Sequence, residues 1–297
     1  MIMTVTINPA MDYVLQAPGF TLGETNRATA AHLRVGGKGI NVSLVLAALG
    51  VDSTATGFLA GAMGGLVEAA LQGEGIKTDF VWLPEGNTRI NVKLKTGVET
   101  EINAPGPAIS GEALGALADR LNTLTEGDTI VLAGNLPASV PQDTYARLLA
   151  SLEGRGVRAV VDTTGEALLA TLPYHPYLIK PNRRELEQLA GSPLPTVEAV
   201  TEAARHLQQA GATNVLVSLG GDGALLLDAT GDTYYRPAVG GKPVDTVGAG
   251  DSMVAGFLAG ADRGSDYALA LGLAAGGATA CGEGLATGEA IYQLMQM

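Results

Sequence analysis

A chain of 297 residues, 46% hydrophobic and 16% charged, is long and apolar enough to close a large core, which excludes a disordered or low-complexity protein. Its net charge of −12 (18 Lys and Arg against 30 Asp and Glu), with no basic cluster, speaks against a nucleic-acid partner and against an anionic membrane surface. The one cysteine, Cys281, allows no intrachain disulfide and reads as a small buried core residue; with no signal-like N-terminus and no apolar run of about 18 residues, the expected setting is the cytoplasm.

In chain order, the β-branched run at 3–7 reads as the first strand, with Asp12 following in TINPAMD. A carboxylate there is either a turn residue or a holder of two sugar hydroxyls through its two oxygens. The stretch 12–35 carries Pro18, Gly19 and Gly23 with only weak alternation, then gives way to VGGKGIN and an apolar helix expected over 39–49. Gly36 and Gly37 expose backbone amides, Lys38 offers a point charge, and Asn41 can donate and accept hydrogen bonds. This is not a Walker A loop, and it lacks the third glycine of the dinucleotide fingerprint, which speaks against a Rossmann dehydrogenase.

A strand at 54–58 and a helix at 66–73 precede a second irregular region, 87–103, whose halves TRINVKL and VETEIN alternate like a hairpin. Strands without intervening helices at 12–35 and 87–103 predict a small antiparallel β lid, a device that keeps water from a reactive phosphate. From 111 onward, helices expected at 111–122, 142–153, 183–190, 197–210, 252–261 and 267–280 alternate with apolar strands at 129–133, 157–162, 177–179 and 214–219. That rhythm predicts a mostly parallel sheet covered on both faces.

Polar residues gather where those strands end, the rim at which open parallel sheets bind ligands. Asn135 follows 129–133 in GNLP, and Asp162 closes 157–162. In KPNRREL, Asn182 and Glu185 have the spacing of a capping box; alternatively Glu185 faces a hydrated Mg²⁺ through water, with Asp162 as a second acidic candidate. The glycines of VSLGGDGA serve either a hairpin or a flat nucleotide. In DTVGAGDSM, Gly248, Ala249 and Gly250 offer amides at the positive end of a helix dipole. Asp251 beside them is either an N-cap or a base that takes a proton from an attacking hydroxyl.

Together and in this order, VGGKGIN, GNLP, KPNRREL, VSLGGDGA and DTVGAGDSM resemble the ribokinase-like (PfkB) carbohydrate kinases over about 4–284. TINPAMD, NTRINVKL and VDTTGEAL are similar to the branch holding 1-phosphofructokinase, tagatose-6-phosphate kinase and the minor 6-phosphofructokinases. The resemblance implies one ribokinase-like domain over 1–297, a three-layer α/β/α fold with a small antiparallel β lid. It implies ATP-dependent phosphorylation of a sugar phosphate, foremost fructose 1-phosphate to fructose 1,6-bisphosphate. Tagatose-6-phosphate kinase and 6-phosphofructokinase are the alternatives, and a sugar-phosphate or nucleotide sensor is the non-enzyme one.

The resemblance also implies roles. Asp251 is the base and Gly248, Ala249 and Gly250 the anion hole. Asp12, Gly36, Gly37, Asn41 and Asn135 hold the sugar, and Arg89, Lys38 and Arg27 its phosphate. Lys180, Asn182, Ser218, Gly220 and Gly223 line the ATP side, with Glu185 toward Mg²⁺. Asn135 departs from the serine usual in this branch, replacing a hydroxyl with an amide. Some relatives bind a monovalent cation where Asp245 and Val247 stand here, and relatives dimerise through the lid.

Overall fold

The computed structural model describes residues 1–97 and 99–296. Val98, inside the expected 87–103 lid segment, and Met297, the last residue of the expected domain, lie outside the described residues. The chain opens with β1 (Ile2–Thr6), β2 (Ala10–Gln16), β3 (Ala30–Gly36) and α1 (Lys38–Ala48). Next come β4 (Thr54–Ala60), α2 (Gly61–Gly73), β5 (Lys77–Thr78), β6 (Val81–Leu83), β7 (Arg89–Lys95) and β8 (Glu99–Ile102). The middle holds α3 (Gly111–Leu121), β9 (Thr129–Ala133), α4 (Thr144–Ala150), β10 (Arg158–Asp162), α5 (Gly165–Leu169), β11 (Leu178–Ile179), α6 (Arg183–Ala190) and α7 (Val197–Gln209). It closes with β12 (Asn214–Ser218), β13 (Ala224–Leu227), β14 (Thr233–Arg236), α8 (Ala249–Gly260), α9 (Ser265–Cys281) and α10 (Gly288–Met295).

The main sheet has the order β14-β13-β12-β11-β10-β9-β1-β4-β5, with β6 also on β4. Neighbours from β12 to β5 are parallel, and β13 and β14 add an antiparallel edge. Both faces are covered, so the strands are apolar throughout and their alternate residues feed two separate cores. In β9, Ile130 and Leu132 join Leu117, Leu186 and Val200 of α3, α6 and α7 on one face. Val131 and Ala133 join Val42, Val254, Ala274 and Ile291 of α1, α8, α9 and α10 on the other. This is the three-layer, ribokinase-like arrangement the sequence predicts.

The lid sheet has the order β3-β2-β7-β8. Two antiparallel pairs, β2–β3 and β7–β8, are joined by a parallel pairing of β2 with β7, in which Asp12 faces Asn91. Its outer face exposes Leu33, Ile90 and Ile102.

Several boundaries differ from expectation. Helix α2 begins at Gly61 rather than 66, because Gly64 packs against Leu59 and Trp82 and that tertiary contact overrides the poor propensity of the Gly64-Gly65 pair. Helix α4 is shorter than 142–153, and turns fill the chain beyond it up to Gly156. Helix α10 was not expected at all, although Thr287 caps it by accepting from Ala290 N. Helix α8 starts at Ala249, so Ala249, Gly250 and Asp251 form its first turn and Gly248 is its N-cap.

Candidate active site

The C-terminal ends of β1, β9, β11 and β12 open into a cleft of about 1280 Å³ that the lid overhangs. A single small-ligand pocket is typically about 300–1,000 Å³, so this volume accommodates two ligands side by side. Of the sequence candidates, the cleft is lined by Asp12, Gly37, Lys38, Asn41, Arg89, Asn135, Lys180, Asn182, Glu185, Ser218, Gly220, Gly223 and Gly248 through Asp251.

The first turn of α8 forms one wall. Gly248 is its N-cap, with φ 81°, and any side chain there would meet Leu285 Cδ2 at 2.6 Å. Only glycine fits that conformation and that space. Ser252 fixes the turn from behind: its hydroxyl donates to Gly248 O at 2.9 Å and pairs with Thr279 Oγ1 at 2.7 Å. Asp251 is therefore not an N-cap. It lies inside the first turn, 5% exposed, and accepts a 2.7 Å hydrogen bond from Asn41 Nδ2 on its Oδ2. Burial pushes its carboxyl up to about 6; Asp162 adds to the rise, while Lys38, Asn41 and Lys180 oppose it. Asn41, expected to hold the sugar, lines the cleft and donates to this carboxylate.

Asp162, at the end of β10, is fully enclosed and does not line the cleft. Lys38 Nζ lies 3.3 Å from both of its oxygens and Lys180 Nζ 3.4 Å from Oδ1. Burial raises the Asp162 carboxyl, but Lys180 and Lys38 hold it below the ordinary range. The expectation of a metal ligand at Asp162 is thus corrected: two ammonium groups already occupy the oxygens a cation would need. Burial lowers the Lys38 ammonium, but Asp162, Asp251 and Glu185 prevail and raise it.

Glu185 makes the capping box that its spacing suggested. Its Oε2 accepts from Asn182 N and its own N donates to Asn182 Oδ1, each at 2.9 Å. It also faces the cleft. Among the described residues no group of three His, Cys, Asp or Glu is gathered as a metal site. A divalent ion carried on nucleotide phosphates needs only one or two protein carboxylates and water, and Glu185 fits that donor set.

The lid supplies the opposite wall. Asp12 Oδ1 accepts from Asn91 Nδ2 at 2.9 Å, and Lys93 Nζ sits 3.5 Å from Asp12 Oδ2 and 3.1 Å from Glu101 Oε1. Gly36 stands behind this row rather than in the cleft: a side chain there would strike the Asp12 carboxylate at 2.9 Å. Arg89 donates from Nη1 to Ala104 O at 3.3 Å, while its buried Nε has no hydrogen-bond partner. The lid is tied to the α8 turn through Asp245, whose Oδ2 meets Lys95 at 3.2 Å and Arg34 at 3.5 Å and whose Oδ1 accepts from Val247 N at 3.0 Å.

Sequence reasoning missed Asn91, Lys93 and Glu101. The signal was the alternation in RINVKLK, which puts Arg89, Asn91 and Lys93 on one face and leaves Ile90 outside. Arg27 was expected at the sugar phosphate, but it is exposed in the connection between β2 and β3 and does not reach the cleft of its own chain. On the nucleotide side, Arg183 bridges to Asp222 at 2.9 Å, joining α6 to the 220–222 turn. Cys281 is not a core residue: it is half-buried beside the cleft, and its sulfur accepts from Gly241 N at 3.2 Å.

Residues 2–290 match the pfkB family carbohydrate kinases, and the chain belongs to that family. It is 44% identical to the 1-phosphofructokinase of Bacillus subtilis over 99% of this chain and 97% of that one. It is 36% identical to the D-tagatose-1-phosphate kinase of Bacillus licheniformis over 96% and 94% of the two chains. Phosphofructokinase-2 of Escherichia coli, solved with substrates and products, superposes with a TM-score of 0.93 at 30% identity, over 99% of this chain and 98% of its own. The chain is an ATP-dependent sugar-phosphate kinase. No helix among the described residues is long and apolar enough to cross a membrane.

Proposed function

We propose that this chain, as one kinase domain in the cytoplasm, transfers the terminal phosphoryl group of ATP to fructose 1-phosphate and yields fructose 1,6-bisphosphate and ADP. The observation that carries the reading is Asp251: a buried carboxylate in a glycine-rich first turn, facing across one cleft an Asp12–Arg89 wall suited to a phosphorylated sugar. Phosphoryl transfer asks a protein mainly for alignment, charge neutralisation and a proton acceptor.

In this reading Asp12 and Asn91 hold sugar hydroxyls, and Arg89, which lines the cleft beside them, takes the existing phosphate. The far hydroxyl then lies at Asp251, which accepts its proton as the oxygen attacks phosphorus. Asn41 keeps the carboxylate aimed. The amides of the Gly248–Gly250 turn and the helix dipole meet the negative charge of the group in transit. Lys180, Asn182, Ser218, Gly220 and Gly223 line the nucleotide side. Mg²⁺, held by Glu185 and the phosphates, supplies charge neutralisation and orientation when bound.

The tagatose alternative, expected as tagatose-6-phosphate kinase, is revised to tagatose 1-phosphate, the substrate in the name of the Bacillus licheniformis relative. The exposed Leu33, Ile90 and Ile102 on the outer lid face support a homodimer formed through the lid. Such a dimer would also give Arg27 a phosphate to reach, in the partner's cleft.

The test is kcat/KM with ATP and Mg²⁺ for the 1-phosphates and 6-phosphates of fructose and tagatose. Fructose 1-phosphate is expected to lead, and a lead for either 6-phosphate would overturn the assignment. ATP binding without ADP release on any of the four would favour the sensor.

A further inference from the structure

Asp162 is left without a role by the chemistry above. It is buried behind the cleft, yet it joins the two halves of the site: Lys38 comes from the start of α1 on the sugar side and Lys180 from the end of β11 on the nucleotide side. Both ammonium groups converge on one carboxylate, at 3.3 Å and 3.4 Å. Their other neighbours show where they point. Lys180 Nζ lies 3.1 Å from where a side chain on Gly250 would begin, so it abuts the amide turn. Lys38, held 3.3 Å from Asp162, also feels the charges of Asp251 and Glu185, which places it toward the transfer point.

Two lysines this close would repel and drift apart without a shared counter-charge. A buried carboxylate between them holds both in place at the cost of its own desolvation. It also keeps each ammonium from closing on Asp251, which must stay free to take a proton.

Resting on the kinase reading, we propose that Asp162 is a positioning residue. It sets Lys38 and Lys180 side by side so that they clamp the phosphoryl group as it passes from nucleotide to sugar. Lys38 is then a catalytic residue of the transferred group rather than a holder of the sugar's resident phosphate.

The experiment is a mutant cycle on the full chain, with the folded fraction measured by circular dichroism. Asp162→Asn is expected to lower kcat at least about tenfold per folded molecule while both KM values stay within about threefold, the signature of an interaction made in the transition state. Asp162→Glu, which keeps the charge, is expected to recover part of the loss. Added to the Lys38→Met/Lys180→Met double variant, Asp162→Asn is expected to cost less than about threefold more, because a residue acting through the lysines is non-additive with them.

A purely structural Asp162 would lower the melting temperature and leave kcat per folded molecule intact, and that result would overturn the proposal; so would a full multiplicative loss in the triple variant. If Asp162→Asn is not recovered folded, Lys38→Met and Lys180→Met decide. As a unit they lose together far less than the product of their single losses, and the full product would contradict the clamp. Wild type that phosphorylates none of the sugar phosphates removes the kinase reading and this inference together. Wild type that turns over, beside an Asp162→Asn that matches it, removes only the positioning role.

Discussion

The first turn of α8 and the lid wall face the same cleft and hold their polar groups by opposite means. At the turn, the backbone is fixed by steric packing around Gly248 and by Ser252, and the one carboxylate is buried with its pKa raised to about 6. On the lid, charges neutralise one another in a row: Asp12, which also accepts from Asn91, with Lys93, Lys93 with Glu101, and Asp245 with Lys95 and Arg34. The turn stores reactivity by withholding a partner charge from Asp251, whereas the lid stores recognition by pairing. Changes at the turn are therefore expected to fall on kcat, and changes on the lid on kcat/KM for the sugar phosphate.

The sharpest break of that contrast is Asp251→Asn, expected to lower kcat by about 10²–10⁴ while ADP still binds, as single-turnover kinetics and calorimetry would show. The same change is expected to stabilise the fold at pH 7.5 by on the order of 2–3 kcal/mol, since the folded carboxyl titrates near 6 and its reference value is 3.8. A raised carboxyl costs stability only where it is ionised, so the gain in melting temperature should vanish as the pH falls below about 4.

Next is Gly248→Val. A side chain at φ 81° collides with Leu285 and moves the amides, with an expected kcat loss of about 10²–10³. On the lid, Arg89→Ala is expected to cost about 10- to 100-fold in kcat/KM for the sugar phosphate, but less than about threefold for the unphosphorylated sugar. Equal losses on both would show that Arg89 does not read a phosphate. Lys95→Met is the mildest. Arg34 still reaches Asp245 and Lys95 is partly exposed, so about two- to fivefold in kcat/KM is expected. A loss there larger than at Arg89 would erase the division between the two walls.

What was legible in the sequence follows the same division. Glycine and Asp at the α8 turn were readable because backbone geometry leaves a local mark, although the helix was expected three residues late. The main strands were readable from their unbroken apolar runs. The lid row was only half visible: its strands alternate, but that Asn91, Lys93 and Glu101 face inward depends on which strands pair, a long-range fact. Asp162 misled for the same reason. A lone carboxylate at a strand end looks like a metal ligand until Lys38, 124 residues away, and Lys180 are seen to fill it. Glu185 was ambiguous from its spacing and is now both things at once, a helix cap and a cleft carboxylate.

The central claim is that Asp251, ionised inside the cleft, takes the proton of the attacking hydroxyl. The pH dependence of kcat under saturating substrates tests it most directly. Wild type is predicted to hold a plateau at neutral pH and to fall about tenfold per unit below a midpoint near 6, with no such limb in the residual activity of Asp251→Asn. A wild-type kcat that is flat from about pH 5 to 8, or an acid limb that survives in Asp251→Asn, would contradict it.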